Sequence, residues 1–252
     1  MQAHHSSLLT PDQIEIEKTA ISLLDHPQVR ALRAMVAARL KMSPQNGLQD
    51  GAATLDDNVE SMLFGALEMA VASDPAHPRV LWTIHPPYDF DGFNVPNSAH
   101  IGDSPDRIYR FIGVSPRYRY EIRGRRHPAH PSVNDFNFEA AKSGGWTGQP
   151  MVALQAPADI DVDAEGCFTI TADATPADGR RNHLQLPPGT ASILPRDTLT
   201  DWANQVPNEL SIRLVGAERD SPWSVDDVIK ELTKSLGESV DVLSRIIGKP
   251  LQ

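Results

Sequence analysis

The chain has 252 residues, a net charge of −10, 40% hydrophobic and 22% charged residues and one cysteine, Cys167. That is enough chain for a sizeable core and too apolar for the disordered class. The acidic balance argues against a general nucleic-acid binder, a lone cysteine excludes an intrachain disulfide, and no apolar run reaches the ~20 residues of a membrane-spanning helix.

Residues 1–10 carry no basic and apolar signal region. With the single cysteine this leads to the expectation of a cytoplasmic protein without membrane contact. Cys167 itself is expected as a small buried hydrophobe in a strand.

Residues 1–75 read as helices. Thr10, Pro11 and Gln13 form a helix-start pattern, followed by Ile14, Ile16, Ile21 and Leu24. Asp25-His26-Pro27 breaks the run and opens a second helix through Val29, Leu32, Val36 and Leu40. After a turn-rich stretch at 43–53, Thr54 starts a third helix with Asp56 and Asp57 in its first turn, where the helix dipole favours negative charge. Val59, Met62, Leu63, Ala66, Leu67 and Ala70 are its apolar positions.

From Arg79 the periodicity changes to that of strands. Strands are expected at 80–84, 108–114, 118–124, 152–155, 167–172, 192–194 and 209–215, with a long loop from 85 to about 105. Ser115-Pro116-Arg117 reads as a hairpin turn, and 163–166 as a second one joining Ile160 and Val162 to Cys167. A short helix is expected around 198–204. Ser224, with Asp227 three residues on, opens a C-terminal helix carrying Leu232, Leu236, Val240, Leu243 and Ile247.

A run of strands after a run of helices, without βαβ alternation, predicts an α+β fold. Its core is an antiparallel β-sandwich, jelly-roll-like, with an N-terminal helical segment and a C-terminal helix. The expected division is 1–78 for the helical segment, 79–220 for the β core and 221–252 for the last helix.

Four pieces carry a family resemblance: Gly102-Asp103-Ser104-Pro105-Asp106-Arg107-Ile108-Tyr109; Tyr120-Glu121-Ile122-Arg123-Gly124; Asp163-Ala164-Glu165-Gly166-Cys167-Phe168; and the block from Asn182 to Gly189 through Arg196 to Asp201-Trp202. In order and spacing, residues 97–215 resemble a bacterial domain-of-unknown-function family. Its members often form the C-terminal half of larger proteins, behind a second uncharacterised domain. The resemblance implies a β-rich, jelly-roll-like fold and no agreed reaction. In the family an Asn commonly stands at the positions of Ser104 and Arg107, and a Trp at that of His183.

Polar groups concentrate between Gly102 and His130, where seven arginines against three acidic residues leave a local charge of +4. Guanidinium groups bind carboxylate, phosphate or sulfate bidentately, though alternating Arg119, Glu121 and Arg123 also fit a solvated strand face. Asp103, Asp106 and Tyr109 sit where a loop enters a strand, a place from which a rigid sheet aims polar groups; two carboxylates there divide into acid and base if their surroundings separate their pKa values. The commoner use of Asp103 is to cap the turn at Ser104-Pro105-Asp106. Arg196 and Trp202 are expected to approach the same pocket from the later block, Trp202 as an apolar wall, or else to tie loops together.

His127 and His130 form an H-x-x-H pair with Asp135 nearby, and His85 and His183 are lone acid–base candidates. Asp159, Asp161 and Asp163 mimic a calcium loop, but Ala164 and Ile170 stand where the motif needs Gly and Glu. No phosphate loop, dinucleotide fingerprint, G-x-S-x-G elbow or CxxC pair is present.

The sequence therefore predicts a cofactor-independent enzyme, a lyase, isomerase or hydrolase, acting on a small oxygenated or anionic organic molecule. Asp103, Asp106 and Tyr109 are its catalytic candidates and Arg107, Arg110, Arg196 and Trp202 its substrate-binding ones, with no metal. The alternatives are a non-catalytic ligand- or carbohydrate-binding β-sandwich, and a metal-dependent enzyme using His127 and His130. Amphipathic helices at both ends of a β core, and the frequency of twofold assemblies, predict a homodimer.

Overall fold

The computed structural model describes residues 7–42, 49–90, 92–99, 104–133, 136–142, 150–216 and 220–247, with side chains except at 49, 150 and 242–247. Helices α1 (Pro11–Leu23), α2 (Pro27–Lys41), α3 (Gln49–Ala53) and α4 (Leu55–Val71) come first. Strands β1 (Leu81–Thr83), β2 (Tyr88–Phe90), β3 (Phe93–Val95), β4 (Arg107–Gly113), β5 (Tyr120–Arg125) and β6 (Asn137–Ala141) follow. They continue as β7 (Pro150–Gln155), β8 (Cys167–Asp173), β9 (His183–Gln185), β10 (Ser192–Thr198) and β11 (Glu209–Leu214), and α5 (Val225–Ile247) closes the chain.

The strands form a five-stranded sheet in the order β1-β4-β10-β6-β7, a four-stranded sheet in the order β11-β5-β8-β9, and the separate β2-β3 hairpin. Neither large sheet closes into a barrel. Pairing is antiparallel except between β8 and β9, which run parallel. This is the α+β sandwich with flanking helices that the periodicity predicts.

Three layers result. Phe138, Leu154 and Ile193 from the five-stranded sheet meet Tyr120, Ile122, Phe168 and Leu214 from the four-stranded one in a shared core. The opposite face of the five-stranded sheet packs on the helices, where Leu81 and Phe111 join Ile16, Val29, Leu63, Leu67, Leu232 and Leu236. Strand β4 therefore lies between two apolar layers, and burial on both faces explains why Phe111 and Ile112 stand side by side in it. Both terminal helical regions share one core, because α5 packs on α2 and α4.

Helix starts follow the sequence signals in part. Thr10 accepts from Gln13 N at 3.1 Å. Ser224 and Asp227 cap each other, with Ser224 N to Asp227 Oδ2 at 3.1 Å and Asp227 N to Ser224 Oγ at 3.3 Å. Thr54 makes no side-chain cap, and donates instead to Asp50 O.

Several expectations are corrected. Residues 115–117 do not form a hairpin: β4 pairs with β1 and β10, β5 pairs with β11 and β8, so the turn carries the chain from one sheet to the other. Ile160 and Val162 lie outside any strand, and no helix forms at 198–204, where β10 runs on to Thr198 and a turn follows. The long loop after β1 contains the β2-β3 hairpin. Cys167 is half-buried rather than buried.

Candidate functional site

The site starts on α1. Gln13 and Glu17 are four residues apart and so share the buried face that also carries Ile16 and Ala20. Gln13 uses its amide as a short strand: Trp82 N donates to Gln13 Oε1 at 2.6 Å, and Gln13 Nε2 donates to Trp82 O at 3.0 Å. That satisfies the open edge of β1. The same Nε2 donates to Glu17 Oε1 at 2.6 Å; with Oε1 taken by Trp82 N and Thr10 N bonded to Leu8 O, no capping box forms.

Beyond β1 the backbone reverses at Ile84, whose φ is +62°. A β-branched residue in the left-handed region is a true outlier and costs about 1–3 kcal/mol. The reversal is held by Ser98, whose Oγ accepts from Ile84 N at 3.3 Å and whose backbone exchanges two hydrogen bonds with His85 at 3.0 Å each. The outcome is that His85 is only 2% exposed, packed among Phe64, Trp82 and Tyr88.

Both nitrogens of the His85 ring are engaged. Nδ1 lies 3.0 Å from Pro86 O, and since a carbonyl only accepts, Nδ1 carries a proton. Nε2 lies 3.1 Å from Glu68 Oε1 and 3.9 Å from Glu17 Oε1. Tyr88 donates its hydroxyl to Glu17. Glu68 Oε2 is buried and, among the described residues, makes no hydrogen bond of ordinary geometry, though the Ser98 hydroxyl lies beside the carboxylate. Two carboxylates, an imidazole and a phenol thus meet beneath the surface, from α1, α4, the β1–β2 connection and β2.

Their electrostatics follow from burial and from each other. Burial pushes the Glu68 carboxyl up, and the His85 charge and hydrogen bond only partly offset it. For His85 burial acts downward, but the charge and hydrogen bond of Glu68, the Pro86 carbonyl and Glu17 together raise it. Burial and the bond to Glu17 hold the Tyr88 proton well above its ordinary range. The His85–Glu68 pair therefore retains a proton more tightly than either group does in water.

His85 and Tyr88 line a cavity of about 840 Å³, within the range of small-molecule sites. Its walls are chiefly apolar and come from Leu8, Trp82, Ile84, Pro86, Pro87 and Ile108, with Asn97, Ser98 and Ser104 as polar points. Arg107 and Trp202 also line it. The Arg107 side chain is exposed, and its guanidinium has no hydrogen bond or ion pair among the described residues. Trp202 is 45% exposed.

Of the predicted site residues, the structure thus brings Arg107 and Trp202 to one cavity, along with Ser104 and Pro105 of the same loop. Tyr109 points elsewhere: its hydroxyl accepts from Ser104 N at 2.9 Å and its ring lies under the Arg196 guanidinium. Arg196 is paired with Glu139 at 2.5 Å, which makes it a tie between β10 and β6 rather than a substrate clamp. Arg110 is corrected too. It is 3% exposed, bound to Asp197 at 2.5 Å and Asn208 O at 2.6 Å, and does not line the cavity. Asp106 is exposed and its carbonyl accepts from Leu199 N, while Asp103 lies outside the described residues.

His127 and His130 stack on each other at the exposed surface, and Asp135 lies outside the described residues. His183 is a satisfied core histidine, held by Thr171 Oγ1 at 2.8 Å and Thr175 O at 2.9 Å. Glu17, Glu68 and Gln13 were missed as site residues. The signal was present: Glu68 is the lone charge in the apolar run 65–72, and Gln13 and Glu17 fall on the apolar face of their helix.

No family model and no curated protein matches the chain. Among solved structures, an uncharacterised protein from Burkholderia cenocepacia shares the fold, with a TM-score of 0.68 and 18% identity over 91% of this chain. The match covers 61% of that protein, so this chain spans about three-fifths of its length. A protein from Vibrio parahaemolyticus aligns over 44% of this chain and 31% of its own, at 17% identity and a TM-score of 0.33. Among the described residues no helix is long and apolar enough to cross a membrane.

Proposed function

We propose that the protein is an enzyme that holds a small, largely apolar organic molecule in the 840 Å³ cavity and acts on it by proton transfer, as a lyase, isomerase or hydrolase. Arg107 meets an oxygenated or anionic group of that molecule at the rim, while Trp82, Tyr88 and Trp202 cover its apolar surface. The observation that carries this reading is the cavity floor, where His85 and Tyr88 are each backed by a buried carboxylate. Buried ionic clusters contribute little to stability compared with apolar packing, and titratable groups perturbed by burial beside a cavity mark functional sites. This reading needs neither a second copy of the chain nor a particular compartment.

A second reading, binding without turnover, is favoured by one fact: neither nitrogen of His85 is free to take a proton from a ligand. The two readings share the cavity and differ in its floor. Mass spectrometry of the purified protein, released under denaturing conditions, is expected to show a small molecule that is depleted in Trp202→Ala and Arg107→Gln. Both side chains are exposed, so the variants are expected to keep the parent's melting temperature within a degree or two. Equal retention by parent and variants would remove the cavity from both readings. Chemical change of the molecule on incubation, lost in Tyr88→Phe, separates the enzyme from the binder.

A further inference from the structure

The floor cluster contains two carboxylates and one imidazole, and among the described residues no lysine or arginine donates a hydrogen bond to it. Glu68 is wholly buried, and among the described residues its Oε2 makes no hydrogen bond of ordinary geometry, with only the Ser98 hydroxyl beside the carboxylate. A carboxylate at such depth, met only by an imidazole and a neutral hydroxyl, is costly unless a cation joins it. We infer that Glu17, Glu68 and His85 form a binding site for one divalent transition-metal ion, of the zinc or manganese class, beneath the cavity. The inference rests on the cavity being the functional site and specifies what its floor holds.

The geometry is close to what such an ion requires. One donor atom from each of the three residues lies within 4.8 Å of the others. Tetrahedral bonds of 2.0–2.1 Å place neighbouring ligand atoms about 3.3 Å apart, and the His85 Nε2 distances of 3.1 and 3.9 Å to the two carboxylates bracket that value. The two carboxylates lie within 4.8 Å of each other and close in on the ion as it binds.

The surroundings of the three groups are those that metal ligands use. Pro86 O holds the Nδ1 proton of His85, which leaves Nε2 as the ligand atom. Gln13 and Tyr88 both donate to Glu17 and orient its carboxylate. An imidazole in the set favours transition ions over calcium or magnesium, which prefer oxygen alone. Three protein ligands leave a further coordination position, and His85 and Tyr88 both border the cavity.

The test uses the full chain, stripped with a chelator and titrated calorimetrically with Zn²⁺ and, separately, Mn²⁺. One equivalent is expected to bind and to raise the melting temperature. Glu68→Gln and His85→Gln are expected to weaken binding by more than about 100-fold, since even the partners of metal ligands are worth 10–100-fold. Gln13→Ala is expected to weaken it about 10-fold, and the pair His127→Ala with His130→Ala not at all. Electron-spin-echo modulation of the Mn²⁺-loaded parent reads the ligands without any variant, and is expected to show one coupled imidazole nitrogen. No stoichiometric uptake, uptake unchanged in Glu68→Gln, loss of uptake in the His127 and His130 variant, or no imidazole coupling would each overturn the inference. Trp202→Ala is expected to keep the metal while losing the cavity ligand, so failure of the metal site and failure of the cavity reading are told apart.

Discussion

Asp197→Ala is expected to destabilise the protein by about 3–5 kcal/mol, the cost of leaving a buried charge without its partner. Arg110 on β4 and Asp197 on β10 are 3% and 1% exposed and meet at 2.5 Å. Asn208, just before β11, closes the set: its Nδ2 and N donate to Asp197 at 2.6 and 3.1 Å, and its carbonyl accepts from Arg110 at 2.6 Å. The network thus ties the five-stranded sheet to the segment that leads into the four-stranded one. Removing the carboxylate strands a guanidinium that cannot lose its proton. Urea unfolding of Asp197→Ala against the parent measures the loss, and a change below about 1 kcal/mol would contradict this account of the network.

His85→Leu is expected to cost about 3 kcal/mol or more near pH 7, through the same mechanism acting on Glu68. The carboxyl then sits in an apolar site with the Glu17 carboxylate nearby and no imidazole to meet it. Burial already raises the Glu68 pKa in the parent, and losing His85 removes the interaction that opposes the rise. The sign of the pH dependence follows. A carboxyl whose folded pKa lies above its unfolded value of about 4.3 lowers stability as pH rises through that interval. The penalty of His85→Leu is therefore expected to be small at pH 4–5 and to grow towards neutrality, as read from urea midpoints across that range. A penalty independent of pH would mean that the leucine acts through packing alone.

Local pattern revealed the layers because each element obeys a local rule. Thr10 and Ser224 with Asp227 mark helix starts by chemistry that acts within four residues. The adjacent apolar residues Phe111 and Ile112 of β4 reflect burial on both faces. What local pattern cannot carry is the assignment of a strand to a sheet. Tyr120 and Ile122 alternate with polar residues whether β5 pairs with β4 or crosses to another layer, and a turn such as Ser115-Pro116-Arg117 serves either path. The three-residue strand β9 and the β2-β3 hairpin are too short for periodicity to register.

The site was legible at its rim and not at its floor. Arg107 and Trp202 stood out as polar or aromatic residues that no helix or strand pattern required, and both border the cavity. Arg110 and Arg196 looked the same in sequence, yet their partners Asp197 and Glu139 arrive from other strands. His85 read as a solitary histidine because Glu17 and Glu68 come from two helices far earlier in the chain. Only the fold brings the three together.

The double variant Glu68→Met with His85→Leu asks whether the floor of the cavity is kept for function at the expense of stability. Replacing a buried ionic pair by apolar side chains of similar volume is commonly neutral or stabilising by about 1–4 kcal/mol. Urea unfolding of the double variant, beside retention of the cavity molecule and uptake of Zn²⁺, is the measurement. Stability equal to the parent's or higher is the expected result, with Zn²⁺ uptake and turnover lost. A double variant as unstable as His85→Leu alone, or one that keeps both Zn²⁺ uptake and turnover, would contradict it.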